Sequence, residues 1–258
     1  MIDFYKYEGA GNDFVMINNL EGLFEGDKIA LAQKLCDRHF GIGSDGLIFI
    51  ERSDDVDFQM DFYNPDGSQS FCGNGSRCAV AFAHFLNCFK GNETQFSAID
   101  GIHSAAIDGE IVKVGMQNVS EIRKIGEDIY MDTGSPHYIV TVENVSDIDL
   151  IDRGKSIRYH SDFEPHGTNV NFVERINTNS IAIRTYERGV ENETLACGTG
   201  ATAAALSHAY RHSIKLGFVE VNAIGGQLKV YFDFNDNVFS NVFLEGPAKL
   251  VFKGSIDG

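Results

Sequence analysis

The sequence is short of basic residues, long apolar runs and cysteines, and each shortage excludes a class of protein. Its 21 lysines and arginines stand against 37 aspartates and glutamates, which gives a formal net charge of −16 at pH 7. Both nucleic acid and anionic membranes repel a protein of that charge, so neither is expected as a partner. No stretch approaches the roughly 18 apolar residues that span a bilayer. The first residues, Met1 to Lys6, also lack the basic and apolar regions of a secretion signal.

Several signatures of ligand sites are missing as well. There is no Gly-Lys-Ser or Gly-Lys-Thr phosphate loop and no Gly-x-Ser-x-Gly nucleophile elbow. The stretch Gly41 to Gly46 matches the dinucleotide fingerprint by letter, but a predicted helix precedes it and a strand follows, the reverse of the required order. Cys72, Cys78, His84 and Cys88 lack the paired Cys-x2-4-Cys spacing of zinc sites, so no metal site is expected.

The five cysteines are an odd number spread over 258 residues, unlike a secreted disulfide framework. This usage favours a reducing cytoplasm, where thiols stay available for chemistry. We expect Cys36, Cys78 and Cys88 to be small core residues, which is the usual position of cysteine.

What the chain does have is a repeated phrase. Cys72 and Cys197 each open the phrase Cys-Gly-x-Gly, which follows a strand-like stretch and a turn and precedes a small, apolar run. A shift of 125 positions superposes the two phrases, and the order of strands around them repeats. We infer an internal duplication, with a first domain of residues 1–117 that carries Cys72 and a second of residues 118–258 that carries Cys197. This division leaves open whether the last residues pack in the first domain.

The apolar runs after the two cysteines predict buried central helices over 72–89 and 198–211, since both are apolar on nearly every side. A third helix is predicted from the cap Asp27 to near His39, and a helical stretch over 147–154. The remaining pattern predicts short strands, with hairpin turns at Asp100-Gly101 and Asp108-Gly109. The predicted strands lie within 1–20 on both sides of a turn at 9–12, and at 46–51, 57–63, 94–100, 102–108, 110–116, 128–132, 138–142, 170–175, 180–187, 217–222, 227–233 and 240–245.

A cysteine at a helix start lies beside unpaired backbone N–H groups and the positive end of the helix dipole, which favour the thiolate. The effect lowers a thiol pKa by about one unit, which suits a group that must act as base in one direction and acid in the other. Two equivalent thiols therefore indicate a two-base racemase or epimerase. The Gly-x-Gly after each cysteine lets a carboxylate approach the backbone of the helix start.

Other polar residues follow turns near these phrases. His137 and Glu187 are the candidates for adjusting the pKa values of the two thiols, although a single histidine is more often structural. Asn12, Asn64 and Asn169 flank predicted strands, and turn chemistry alone would explain asparagines there.

At these residues the chain resembles the diaminopimelate epimerase family, and the resemblance covers essentially its whole length. The matching phrases are Gly9-Ala10-Gly11-Asn12-Asp13-Phe14, Asn64-Pro65-Asp66-Gly67, Cys72-Gly73-Asn74-Gly75-Ser76-Arg77-Cys78, Pro136-His137, Thr168-Asn169-Val170-Asn171-Phe172, Glu187-Arg188-Gly189 and Ala196-Cys197-Gly198-Thr199-Gly200.

The resemblance implies an α/β fold of the α+β type, with two pseudo-symmetric domains that each wrap a curved, mostly antiparallel sheet around a central helix. It also implies a conversion of LL-diaminopimelate to the meso form without cofactor. We expect the protein to be a cytoplasmic homodimer without a metal site. Cys72 and Cys197 would exchange the proton, with His137 and Glu187 adjusting them. The remaining residues that the family would use for substrate binding are Asn12, Asn64, Gly73, Asn74, Asn169, Glu187, Arg188, Gly198 and Thr199.

The chain departs from the family pattern at a few positions. Ser135 stands where many members have asparagine, and Gly46 where some have a glutamine that contacts the substrate. The loop Val190 to Thr194 is one residue longer than in some relatives.

Four alternatives remain open at this point. A proline racemase would share the fold and a cysteine pair, but the phrases around its thiols differ. A phenazine-biosynthesis-like isomerase would lack both cysteines. A cysteine hydrolase would use Cys72 or Cys197 as nucleophile and His137 as base. A non-catalytic amino-acid binding protein would show no activity to lose.

Overall fold

The computed structural model describes residues 1–257 of the chain, which form two compact units. The first unit contains Met1–Val114 and the segment that starts at Gly246, and the second contains Gly115–Glu245. The division thus lies slightly before the predicted boundary at residue 117, and the closing segment belongs to the first unit.

In chain order, the strands are β1 (Ile2–Gly9), β2 (Asn12–Asn18), β3 (Gly46–Glu51), β4 (Phe58–Tyr63), β5 (Glu93–Ala98), β6 (Gly101–Asp108), β7 (Ile111–Gly115), β8 (Ile122–Ile125), β9 (Asp128–Asp132), β10 (Pro136–Val142), β11 (Asn169–Arg175), β12 (Ser180–Glu187), β13 (Asn192–Thr194), β14 (Leu216–Ala223), β15 (Gly226–Asn235), β16 (Val238–Pro247) and β17 (Lys249–Ile256). The helices are α1 (Lys28–Cys36), α2 (Gly73–Phe85), α3 (Leu150–Arg158) and α4 (Gly198–His212), with short 3-10 helices at Val145–Asp147 and Ser161–Phe163.

The strands of the first unit pair in the order β17–β1–β2–β3–β4–β5–β6–β7. Neighbours are antiparallel except for β2–β3 and β4–β5, which are parallel. The second unit pairs in the order β8–β9–β10–β11–β12–β14–β15–β16, with β13 added at the end of β12. Here β10–β11 and β12–β14 are the parallel pairs.

The two units therefore have the same succession of parallel and antiparallel pairs, position by position. Helix α2 follows β4 in the first unit as α4 follows β12 in the second, and α1 and α3 occupy matching crossovers. This agreement supports the inferred duplication, and the predicted fold class is confirmed. One strand breaks the chain order, because β17 at the C-terminal end takes the position in the first unit that β8 takes in the second.

A helix lies at the centre of each unit. Helix α2 contacts β1, β2, β3, β4 and β6, and α4 contacts β9, β10, β11, β12, β14 and β15. The two faces of the first sheet are both covered, which explains the unbroken apolar run in β2. Phe14 and Met16 pack in the cluster around α2, whereas Val15 and Ile17 pack in the cluster around α1.

Some predicted boundaries are wrong, for local reasons. Helix α1 begins at its predicted cap, but it ends at Cys36 instead of near His39, because the Asp37 carboxylate accepts the N–H groups of His39 and Phe40 at 2.7 Å each. Helix α2 ends at Phe85 instead of residue 89, since Asn87 adopts a left-handed conformation with φ of 60°.

The predicted helical stretch 147–154 is also displaced. Asp149 caps α3 by accepting the N–H of Asp152, so the helix runs from Leu150 to Arg158. Strands β8, β13 and β17 were not predicted. In β13 only three residues are available, and in β17 most residues are exposed, so neither has an alternating apolar pattern.

Candidate active site

Cys72 is the N-cap of α2, with an extended backbone (φ −128°, ψ 107°) that turns its side chain toward the first turn of the helix. The N–H of Gly75 donates to Sγ of Cys72 at 3.4 Å, and Sγ donates to Oδ1 of Asn12 at 3.9 Å. The thiol is half-buried. A backbone donor and a helix start both favour the thiolate, whereas the Asn12 oxygen favours the thiol, so both protonation states have a partner.

Asn12 is held in place by a network that the sequence analysis missed. Its Nδ2 donates to Asp45 at 2.6 Å, which turns its Oδ1 toward Cys72 and toward Nδ2 of Asn74 at 3.2 Å. Arg38 bridges Asp45 and Asp13 at 2.7 and 2.9 Å. Burial acts against the charge of Asp13, but Arg38 and Lys6 outweigh it and lower the pKa of that carboxyl.

Arg77 lies on the same helix and is fully buried. Its Nε donates to the carbonyl of Pro247 at 3.4 Å, and within residues 1–257 its two Nη atoms have no hydrogen-bond partner. Burial lowers the pKa of the guanidinium, and the neighbouring Cys78, Cys72 and Glu8 act in the opposite direction. The first unit therefore keeps a cation in its interior beside the helix start.

Asn64 takes part in a separate local structure. Its backbone and side chain donate to the carbonyl of Ser68, and its Nδ2 also lies 3.2 Å from the Ser70 hydroxyl. These bonds close the loop that leads from β4 to Cys72. The structure thus brings Asn12, Asn74 and Cys72 together by hydrogen bonds, whereas Asn64 bonds within the loop that precedes Cys72.

Cys197 is the corresponding N-cap of α4, again with an extended backbone (φ −115°, ψ 114°). Its Sγ lies 3.5 Å from Oγ1 of Thr199, two residues along the helix start. The carbonyl of Thr199 accepts the hydroxyl of Thr133 at 2.8 Å, which fixes the backbone there. Gly73 and Gly198 are the first residues of the two helices, as predicted.

His137 is completely buried next to this helix start. Its Nε2 lies 2.9 Å from Oγ1 of Thr199, and its Nδ1 lies 2.9 Å from Nδ2 of Asn171. Oδ1 of Asn171 in turn accepts the hydroxyl of Thr185 at 2.9 Å. Burial, with a smaller contribution from the charge of Arg188, lowers the pKa of His137 to about 3. The ring is therefore neutral near pH 7 and acts through hydrogen bonds.

Asn171 and Thr185 were not singled out in the sequence. Asn171 stands two positions after Asn169, on the same face of β11, and this spacing was a usable signal. Thr185 is opposite Asn171 in the antiparallel register of β11 and β12, which the sequence does not specify.

A second cluster surrounds Asn169, at the start of β11. Its Oδ1 accepts the backbone N–H of Arg188 at 2.8 Å, and its Nδ2 donates to Ser135 and to the carbonyl of Pro136, both at 2.9 Å. The Arg188 guanidinium lies 3.4 Å from the same Ser135 hydroxyl. Ser135 therefore joins two predicted substrate-binding residues. Glu187, next to Arg188, accepts the hydroxyl of Thr194 at 2.7 Å.

Gly46 has a structural explanation. A Cβ built at this position would lie 2.3 Å from the ring of Phe62, so a larger side chain fits only if that ring moves.

Residues 1–257 contain no group of three or more His, Cys, Asp or Glu side chains placed to hold a metal ion. Among the helices of this part of the chain, none has the length and apolar character needed to cross a membrane.

Comparisons with known proteins agree with the phrases quoted above. The family model described as diaminopimelate epimerase matches residues 4–121 and 129–251. A diaminopimelate epimerase of Flavobacterium psychrophilum is 47% identical over 98% of this chain and 99% of its own length. One from Aquifex aeolicus is 39% identical over 99% of this chain and 98% of its own length.

Solved structures show the same fold at low identity. A phenazine biosynthesis protein of the PhzF family from Bacillus anthracis matches with a TM-score of 0.78 at 16% identity, over 99% of this chain and 98% of that chain. A hydroxyproline epimerase from Agrobacterium vitis matches with a TM-score of 0.72 at 12% identity, over 98% of this chain and 91% of that chain.

Proposed function

The chain belongs to the diaminopimelate epimerase family, and on that premise we propose that Cys72 and Cys197 exchange a proton at one α-carbon of 2,6-diaminopimelate. The reaction converts the LL form to the meso form, in the synthesis of lysine and of peptidoglycan precursors. The observation that supports this proposal best is the position of the two thiols. Each is the N-cap of the central helix in one of two units with the same topology.

The proton balance of the proposed reaction is simple. One thiolate removes the α-proton, and the electron pair of the C–H bond stays on the substrate as an enolate-like charge. The other thiol gives its proton to the opposite face of the same carbon. One proton is taken and one is given, so the substrate is neither oxidised nor reduced, and the two thiols exchange protonation states.

The helix starts are the proposed sites for the carboxylate at the reacting centre. Backbone N–H groups at Gly73 and Asn74, and at Gly198 and Thr199, would stabilise the charge that develops as the proton leaves. Arg188 is the positively charged residue among the predicted substrate-binding residues. We assign it to the distal carboxylate of the substrate, because a guanidinium binds a carboxylate in bidentate fashion.

The remaining predicted residues have supporting roles in this proposal. Asn12 would contact the substrate and the Cys72 thiol, and Asn64 and Asn169 would position the distal amino-acid end. Glu187 and His137 would adjust the thiols, His137 by hydrogen bonding because its pKa of about 3 keeps it neutral. A neutral ring with a hydrogen bond at each of its two nitrogens is a poor general base. The geometry therefore does not favour the cysteine hydrolase alternative.

We also propose that the protein is a cytoplasmic homodimer. All five cysteines are thiols, which suits a reducing compartment. The strand β17 presents Val251 and Phe252 with 57% and 47% of their surface exposed, a suitable surface for a second copy. Light scattering of the purified protein measures the number of chains directly.

The activity is tested by incubating the protein with LL-diaminopimelate in D2O without added cofactor. We expect deuterium at one α-carbon together with formation of the meso isomer. Cys72→Ser and Cys197→Ser should each lower the turnover rate by about 10²- to 10⁴-fold, the usual range for loss of a general acid or base. Either variant at near the unmodified rate would contradict the two-thiol scheme.

Cys88→Ser is the matched control for these variants. Cys88 is also half-buried and lies in the same unit as Cys72, just after the end of α2. Its replacement should leave the turnover rate within about twofold. A comparable loss there would mean that thiol replacement lowers the rate through the fold and not through proton transfer.

A further inference from the structure

In the second unit, four buried side chains form an unbroken hydrogen-bonded line that ends at Cys197. The line runs from the Thr185 hydroxyl through Asn171 and His137 to Thr199, with 2.9 Å at each of its three steps. Sγ of Cys197 lies 3.5 Å from Oγ1 of Thr199. All four side chains are buried, and the most accessible of these residues, Thr199, is 7% exposed.

The donors and acceptors give this line a direction. A hydroxyl of Thr185 that donates to Oδ1 of Asn171 leaves Nδ2 of Asn171 facing the imidazole. An amide nitrogen only donates, so Nδ1 of His137 must accept and carries no proton. A neutral imidazole then has its proton on Nε2, which donates to Oγ1 of Thr199. The hydrogen of the Thr199 hydroxyl is thereby directed to the sulfur of Cys197.

We propose that Thr185 and Asn171 are positioning residues that hold His137 in its Nε2–H form, so that the Thr199 hydroxyl donates a hydrogen bond to Sγ of Cys197. A hydrogen bond to a sulfur anion stabilises the thiolate and lowers the pKa of the thiol. The proposal rests on the proposed function only for the statement that Cys197 is an acid–base group.

The charged groups beside the line lie on the strands that carry it and at the ends of those strands. The strand β10 contributes His137 itself, and its pKa of about 3, a result of burial, keeps it neutral over the working range. At the end of β12 stand Glu187 and Arg188, and the charge of Arg188 acts on His137 in the same direction as burial. At the end of β9, Asp132 accepts the N–H of Gly134 at 2.9 Å. The segment of β11 that carries Asn171 is neutral from residue 169 to 173.

The thiol readout is the rate of alkylation by iodoacetamide as a function of pH, followed for each cysteine by peptide mass spectrometry. We expect Thr199→Val, which keeps the shape but removes the hydroxyl, to raise the pKa of Cys197 by about one unit. Thr199→Ser, which retains a hydroxyl, should restore a value near that of the unmodified protein. Cys72 in the same samples is the internal control and should not change.

Thr185→Val tests the far end of the line. It removes the hydroxyl that orients the Asn171 amide, at a position three hydrogen bonds away from Thr199. We expect a smaller rise in the pKa of Cys197 of about half a unit, because the amide and the imidazole then populate both orientations. Thermal unfolding by circular dichroism shows whether the variant keeps its fold.

The tautomer is read directly from the ¹⁵N chemical shifts of the His137 ring. The proposal requires the proton on Nε2 in the unmodified protein and a mixture of tautomers in Thr185→Val. A proton on Nδ1 in the unmodified protein overturns it, and so does a Cys197 pKa that is the same in Thr199→Val. Neither measurement uses turnover, so a protein that shows the line but no epimerisation would contradict the proposed function alone.

Discussion

At the scale of single residues, His137 makes the protein sensitive to acid. Burial lowers its pKa from 6.5 to about 3, so the unfolded chain binds a proton at this residue below pH 6.5 and the folded chain does not. The folded state is therefore fully stabilised above pH 6.5 and loses stability as the pH falls toward 3. We expect this residue to contribute a loss of up to about 1.4 kcal/mol in the free energy of unfolding per pH unit.

Urea unfolding between pH 4.5 and 7 measures this slope. His137→Gln lacks the titrating group, and we expect its free energy of unfolding to fall less steeply with pH than that of the unmodified protein. His39→Gln, at an exposed position, is the control and should keep the original slope. Equal slopes in all three proteins would mean that His137 does not lose its proton on folding.

The candidate site could be predicted in part at this scale. Cys72 and Cys197 are helix N-caps, as the repeated phrase predicted. This part of the site was predictable because a helix start is determined by residues that are adjacent in the chain. Asp45 and Thr185 were missed because their contacts join positions 33 and 14 residues apart in the chain. Such contacts depend on which strands pair and in which register, and a single sequence carries no record of that.

At the scale of elements, the two central helices differ at one matched position. A Cβ on Gly75 would lie 3.2 Å from the terminal methyl of Ile48, which is the flexible end of a side chain. A Cβ on Gly200 would lie 2.7 Å from Oδ1 of Asn171, which is buried and hydrogen-bonded. The glycine in α4 is therefore required for the close approach of Asn171, and the one in α2 is not required to the same degree.

The matched variants Gly75→Ala and Gly200→Ala test this difference. Alanine in a helix gains about 0.5–1 kcal/mol over glycine, which should leave Gly75→Ala close to neutral. Gly200→Ala should lower the free energy of unfolding by about 1–3 kcal/mol, because the Asn171 side chain must move. Urea unfolding of the two variants gives the comparison. Equal changes in both would show that Asn171 yields without cost.

Element types were predictable where burial leaves a strong pattern, and element ends were not. The central helices and the hairpins at Asp100 and Asp108 were found because apolar periodicity and Asp-Gly turns are local signals. The end of α1 depends on the Asp37 side chain, which competes with the helix for two N–H groups. The strand β17 has most of its residues exposed, so its identity depends on pairing with β1.

At the scale of the whole molecule, the duplication is regular except for one strand. The first unit obtains its outer strand from the C-terminal end of the chain, whereas the second obtains the equivalent strand, β8, directly before β9. The repeated phrase was enough to predict two related domains. It could not show which unit the last strand joins, because that depends on pairing between residues about 250 positions apart, such as Ser255 and Asp3.

The position of β17 leads to a prediction about chain connectivity. A chain that ends at Pro247 lacks β17 and exposes the edge of β1 from Ile2 to Glu8. We expect this truncation to destabilise the first unit and to leave the second largely unchanged, because β17 pairs with β1, which belongs to the first unit. Hydrogen exchange measured by mass spectrometry should show that the truncation increases the exchange rate in peptides of 1–114. The exchange rate in peptides of 119–240 should stay close to that of the unmodified protein.

A circular permutant is the matched control for the truncation. Ile256 is opposite Ile2 in the antiparallel pair of β17 and β1, so a short loop made by inserting Asn-Gly suffices to join the segment 248–258 to Met1. The permuted chain restores the lost strand as a hairpin and gives the first unit the chain order of the second. We expect its exchange rates to return to those of the unmodified protein. Slow exchange in the truncated chain itself would mean that β1 does not need its neighbour, and that the duplicated unit is stable with one strand fewer.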